Sequence, residues 1–234
     1  MNEHWVYAGL MLFTFLGPLS RSFESRIAYH KSFGSLALAI LPVWVFFVGW
    51  DMVFTHFGIW GFNPRYLLGI HLGNLPIEEV SFFILVPFAS LFVQKVVDLF
   101  IPSEPPAWVR DKMVPFLVWF PLGVAALNWG RWYTFCAMLV LGLLMGWMHY
   151  RVKPPWLARF VRGYAWVLIP FLLINGVLTG TGLEEPVVWY NSDHHLNRRI
   201  ATIPFEDAFY GMSLMLMVTA LYELFEAQRR LSRT

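Results

Sequence analysis

Charge is what this chain has least of. Only 14% of its 234 residues are Asp, Glu, Lys or Arg, against 58% hydrophobic and 18% aromatic, whereas a soluble domain carries about 25% charged residues. That scarcity excludes an ordinary water-soluble core. With a net charge of only +2, it also excludes an electrostatic nucleic-acid surface. Cysteine is scarcer still: Cys136 alone rules out an intrachain disulfide and a cysteine-built metal site, and it reads as a small buried hydrophobe. No Walker A loop, no Gly-x-Gly-x-x-Gly after a strand and no HExxH occurs, so nucleotide, dinucleotide and zinc-protease chemistry have no support. An aspartate-rich magnesium motif is missing too, and the last apolar stretch has no lysine for a retinal Schiff base. The start, Met1-Asn2-Glu3-His4, lacks the basic n-region of a cleaved signal peptide. His194 and His195 have no further His at ligand spacing, so a solvated loop pair is expected and no metal site.

Long apolar runs are what remains. Crossing a bilayer takes roughly 20 apolar residues, and seven stretches approach that length, at about 4–20, 34–54, 77–100, 113–128, 132–149, 163–180 and 205–226. The fourth is shortest and holds Pro115 and Pro121, which kink it or limit its insertion. Thirteen of the seventeen basic residues fall on one side: Arg21, Arg26, Lys31, Lys95, Arg110, Lys112, Arg151, Lys153, Arg159, Arg162, Arg229, Arg230 and Arg233. The other side holds Arg65, Arg131, Arg198 and Arg199. The positive-inside rule then places the N-terminus outside and the C-terminus in the cytoplasm. Lys95, inside the third stretch, reads as snorkelling to the inner face. Trp5, Trp60, Trp108, Trp129, Trp132, Trp156 and Tyr150 read as an aromatic belt.

The chain repeats itself. Residues 47–58 align with 171–182 at an offset of 124, pairing Phe47 with Phe171, Val53 with Val177, Thr55 with Thr179, Gly58 with Gly182, and Asp51 with Asn175. Tyr66 and Tyr190 keep that offset, and four extra residues then bring the later motif to 128. The expected fold is all-α: a polytopic membrane protein of about seven transmembrane helices. It divides into two parallel three-helix repeats, 1–106 and 131–234, joined by a linking helix over 107–130, which supplies the extra crossing that parallel repeats require.

The later motif is acidic. Leu75-Pro76-Ile77-Glu78-Glu79 and Ile203-Pro204-Phe205-Glu206-Asp207 each open an apolar stretch. Ionisable groups at membrane depth are functional candidates by default. Pro76 and Pro204 suit a first helical turn, and the helix dipole favours acids there. Adjacent residues point about 100° apart, so one acid of each pair faces the bundle and the other faces loop or headgroups. The plain alternative is helix-end charges anchored by Arg65, Arg198 and Arg199. Phe46, Phe47, Trp50, Phe54, Phe57, Trp60 and Phe62 crowd the same level, and Phe82, Phe83, Phe88, Phe205, Phe209 and Tyr210 follow the acids. Acids among aromatic faces suit proton-initiated carbocation chemistry kept from water.

Asp51, Phe62-Asn63-Pro64-x-Tyr66, Gly69, the first acidic motif and Phe82-Phe83 resemble the lycopene cyclase domain of small membrane carotenoid cyclases, bacterial, archaeal and fungal. The second half resembles it through Tyr190, Arg199-Ile200, the second acidic motif and Phe209-Tyr210. The chain is similar to the single-polypeptide form of halves that elsewhere form a heterodimer. The resemblance implies a lycopene β-cyclase, an intramolecular lyase/isomerase that converts lycopene through γ-carotene to β-carotene. It implies no redox change, no flavin and no other cofactor. It implies Glu78, Glu79, Glu206 and Asp207 as the acid/base set and Asp51 as a group that tunes them. Asn63, Tyr66, Phe82, Phe83, Asn175, Tyr190, Phe209 and Tyr210 are implied around the substrate. The partners are lycopene or a related carotenoid and the lipid bilayer, with no nucleic acid, and a homo-oligomer is left open. The location implied is an integral, multi-pass one, in the cell membrane if the source is a bacterium or archaeon. Asn175 opposite Asp51 makes the halves unequal, leaving open one shared site or two. Other readings are a cyclase for C50 or other carotenoid ends, a non-catalytic carotenoid- or lipid-binding protein, and a small proton-coupled transporter. Transporter sites lie nearer the midplane, which disfavours the last.

Overall fold

The computed structural model describes residues 3–232. Met1, Asn2 and the basic Arg233 lie outside the described residues. Seven α-helices run in alternation: α1 (Val6–Arg21), α2 (Phe33–His56), α3 (Ile77–Phe100), α4 (Val114–Leu127), α5 (Trp132–Gly146), α6 (Leu157–Leu178) and α7 (Asp207–Leu231). Helices are what lipid permits, because each closes its own backbone hydrogen bonds. Five of them, α2, α3, α5, α6 and α7, are long and apolar enough to cross a membrane, and the chain is an integral membrane protein. Among these, α5 reaches that length through a wide helical turn that continues it to Val152; the other two are 16 residues in α1 and 14 in α4. Each is lengthened at its start, α1 by a 3-10 turn over Glu3–Trp5 and α4 by a wide helical turn over Val109–Met113. Pro115 follows directly on that wide turn and Pro121 lies inside α4, each removing one backbone N–H from the helix.

Six short strands, absent from the sequence expectation, cap one end of the bundle: β1 (Trp60–Phe62), β2 (His71–Leu72), β3 (Leu75–Pro76), β4 (Val188–Tyr190), β5 (Arg199–Ile200) and β6 (Ile203–Pro204). Pro76 and Pro204 were expected inside the first turns of α3 and α7. They close β3 and β6 instead, Pro76 immediately before α3 and Pro204 three residues before α7; the residue preceding each proline is held extended. The ribbon end gathers α1 (Glu3 pairs with Arg65), α5 (Tyr133 N–H donates to His194 O, 2.9 Å) and the adjoining ends of the other helices. At the opposite end Arg162 joins Asp98 and Arg229 joins the Lys31 carbonyl.

The two halves meet about a pseudo-two-fold axis. β1 pairs antiparallel with β4, with Gly61 opposite Trp189, Trp60 opposite Tyr190 and Phe62 opposite Val188. Asn63 N–H donates to Val187 O (2.8 Å) and Asn191 N–H to Ile59 O (2.9 Å), the same bond in each direction. The β2–β3 and β5–β6 ribbons match at an offset of 128. So the four extra residues enter before β4, and the residue equivalent to Tyr190 is Phe62, not Tyr66. The ribbon turns match too: Gly73 sits at φ +64° and Ala201 at φ +54°, where an L residue costs roughly 1–2 kcal/mol. Packing also crosses between halves, with α2 against α7 and α6 against α3, while α4 lies along α5.

Gly61 marks the closest approach of the halves. A Cβ there would lie 2.3 Å from the Trp189 ring. Gly61→Ala is therefore expected to displace Trp189 and cost about 1–3 kcal/mol, read as a lower thermal midpoint in detergent. An unchanged midpoint would show that the β1–β4 junction carries no stability.

Candidate active site

The acidic motifs are placed by their ribbons, and the two members of each pair do different things. Glu78 and Glu206 turn back toward the ribbon loops. Glu78 Oε1 accepts Leu68 N–H at 2.6 Å, and Glu206 Oε1 accepts Leu196 N–H at 2.7 Å, the same bond 128 residues on. Glu206 also accepts the Thr134 hydroxyl at 2.5 Å. One member of each pair was expected to face loop or headgroups, without the sequence saying which. Glu78 and Glu206 face loop backbone and are buried, with one oxygen of each left without a partner. Among the described residues the acids have no basic partner: Arg65 pairs with Glu3 and Glu184, and Arg199 donates to the Thr202 carbonyl. The helix-end anchor by Arg65, Arg198 and Arg199 is not formed.

Glu79 and Asp207 point the other way, into one internal cavity. Tyr7 of α1 donates to Glu79, and Tyr133 of α5 donates to Asp207. These tyrosines occupy matching places in the first helix of each half. Asp207 receives two further donors, Asn175 Nδ2 at 2.7 Å and Tyr190 Oη at 3.0 Å. Three converging donors complement an acceptor-only carboxylate. Asp51, the counterpart of Asn175, is buried on α2; its Oδ1 accepts Trp60 Nε1 at 2.5 Å and its Oδ2 has no partner. Asp51 and Glu79 lie within electrostatic reach of each other, as do Glu79 and Asp207.

The cavity encloses about 60 Å³ of free space and is walled by rings. Trp60 stands edge-on to Tyr133 at 5.0 Å, Tyr133 stacks on Tyr190 at 5.7 Å, and Tyr210 sits 6.0 Å from Trp60. Such faces attract a cation within about 6 Å of a ring centre. The Tyr210 hydroxyl is buried with no partner, among Asp51, Glu79 and Asp207. Burial, and then the charge of Asp207, push the Tyr190 phenol well above its ordinary value, so it keeps the proton it donates to Asp207.

Of the remaining candidates, Phe82, Asn175, Tyr190 and Tyr210 line the cavity. Asn63 does not: it caps the Pro64–Tyr66 turn and donates to Glu185, and Asn191 plays the equivalent part by accepting Asp193 N–H at 3.0 Å. Tyr66 is buried in a separate cluster with Tyr7 and Val187. Phe83 packs on Phe47, and Phe209 on Phe205 and Phe120. Trp60, taken for a belt residue, is buried at Asp51, whereas Trp5, Trp108, Trp129, Trp132 and Tyr150 are exposed. His195, expected in solvent, is buried under Tyr190 and accepts Asn197 N–H at 3.1 Å. Burial lowers its pKa against the opposing pull of Glu206. Tyr7 and Tyr133 escaped the sequence reading; aligning the first helix of each half would have found them.

Comparison with known proteins adds one match. A family model described as Lycopene cyclase matches residues 4–97 and 130–225. No curated protein and no solved structure matches the chain.

Proposed function

The chain belongs to the lycopene cyclase family, enzymes that cyclise carotenoids, and from that premise we propose that it is a β-cyclase acting through one acid/base pair, Glu79 and Asp207, drawn from its two halves. One observation carries the reading: these two carboxyls face a single aromatic cavity, while their neighbours Glu78 and Glu206 hold loop backbone.

Glu79 has one donor, Tyr7, which leaves its second oxygen to carry a proton toward the terminal double bond of lycopene. Protonation leaves a tertiary cation. The next alkene attacks it and closes the six-membered ring, moving the charge into the ring beside Trp60, Tyr133, Tyr190 and Tyr210. Asp207, held as an acceptor by Tyr133, Asn175 and Tyr190, removes a ring proton and sets the double bond. One proton enters and one leaves, so the reaction is an isomerisation, of the intramolecular lyase class. Moving the proton from Asp207 back to Glu79 resets the site. Acid and base positioned this way contribute typically 10²–10⁴-fold each. Asp51 beside Glu79 tunes the acid, and Asn175 in the matching place orients the base. The dry, ring-lined space keeps water from quenching the cation.

The wider arrangement that fits this function has repeats over 1–106 and 131–234 joined through 107–130. The ribbon end lies outside, and the basic loops and C-terminus lie in the cytoplasm, where thirteen of the seventeen basic residues then sit. Expression in cells that accumulate lycopene is expected to turn them from red to orange, with β-carotene as the main product by chromatography. Unchanged lycopene, with the protein verified in the membrane, would refute the assignment.

A further inference from the structure

We propose that an apolar groove between α1, α3 and α6 holds the unreacted polyene chain in the bilayer-facing wall of the protein while its end enters the acid-lined cavity. This rests on the cyclase reading and adds the route and binding surface for the substrate.

Space makes a second compartment necessary. An engineered cavity of about 150 Å³ accommodates one benzene, so the roughly 60 Å³ beside Glu79 and Asp207 admits an end group only if side chains move, and cannot admit the chain behind it. The groove holds about 390 Å³ and is continuous with the cavity: Phe82, Val86, Ser90, Val167, Phe171 and Asn175 line both. Its outer wall is Phe13, Leu16 and Gly17 of α1 facing Leu173 of α6, all exposed along the helix surface. No ionisable side chain lines it. An uncharged linear hydrocarbon therefore fits its chemistry, and an ionic headgroup finds no partner there. Phe82 and Phe171 stand at the junction, where rotation of two rings would widen the inner space.

The fold treats the dyad-related face differently. There α4, which has no counterpart in the first half, packs along α5, and its Phe120 rests on Phe205 and Phe209. The linking helix thus covers on one side the kind of surface left open on the other.

Gly17 gives a clean test, because a Cβ there meets nothing within 4 Å. Gly17→Trp and the smaller Gly17→Leu fill the groove. Gly9→Trp places the same ring on α1 outside it, also with nothing within 4 Å. Each is made in the full chain on a Glu79→Gln background, and lycopene bound to the detergent-purified protein is read by its visible absorbance. Gly17→Trp is expected to lower bound lycopene by roughly tenfold, the equivalent of about two buried CH₂ groups. Gly17→Leu should lower it less and Gly9→Trp not at all. Equal binding by Gly17→Trp and Gly9→Trp would overturn the proposal. So would a Gly17→Trp protein that loses bound phospholipid or a second copy of the chain but keeps lycopene, since the groove would then belong to that occupant. A wild-type protein that binds lycopene in a Gly17-dependent manner but closes no ring would support the groove and refute the cyclase assignment.

Discussion

Glu79→Gln and Asp207→Asn are each expected to reduce ring formation per folded protein by at least ~10²-fold, with the thermal midpoint of Glu79→Gln close to wild type. Both carboxyls face one cavity, so a proton given by one half and taken by the other requires both. Two independent sites predict something different: either single substitution would leave the other half working and lower the rate about twofold. Glu79→Gln keeps an oxygen for the Tyr7 phenol and removes only the transferable proton. Asp207→Asn keeps an oxygen for Tyr133 but presents an NH₂ to groups that now donate to it. The measurement is the initial rate of cyclisation in membranes supplied with lycopene, normalised to folded protein. Either variant keeping more than half the wild-type rate would remove that residue from the chemistry. In D₂O, one deuterium per ring is expected in the product, the mark of a proton delivered by an acid that exchanges with water.

Glu206→Ala should have the largest effect on stability. One oxygen of Glu206 satisfies both the Thr134 hydroxyl and Leu196 N–H, and the residue is fully buried. Removing it strands two donors at about 1–3 kcal/mol each. The sum, roughly 2–6 kcal/mol, lowers the midpoint by about 4–24 °C for a chain of this size. Glu78→Ala strands only Leu68 N–H and should cost about half as much. The Gln variants keep a carbonyl oxygen at each place and are expected to recover most of the loss while remaining active. A Glu206→Ala protein that melts like wild type would refute the positioning role. A fully folded but inactive Glu206→Gln would instead move Glu206 into the acid/base machinery.

These experiments separate residues that sequence leaves equivalent. Glu78 and Glu79 are neighbours with the same side chain, and nothing in Pro-x-Glu-Glu says which faces the cavity. That is decided by where β3 ends and α3 begins, and hence by the ribbon pairing of His71 with Pro76 and Leu72 with Leu75. The offset of 124 over α2 and α6 was legible because span length and apolar pattern preserve it. The position of the four-residue insertion was not, since loops lack periodicity, and it emerged only from the Gly61–Trp189 register. Tyr7 lies 72 residues from Glu79 and Tyr133 lies 74 from Asp207, so their partnership is invisible until α1 packs on α3 and α5 on α7.

By itself the sequence determined the all-helical membrane fold, the internal duplication, the acidic motifs and the family resemblance. Each of these is written locally, in apolar length, spacing and motif. Only the tertiary structure decided that Glu79 and Asp207 share one cavity, that Glu78 and Glu206 hold backbone, and that an open apolar groove adjoins that cavity on the side α4 leaves uncovered. Those are relations between segments far apart in the chain, created when a pseudo-two-fold axis brings the two halves together.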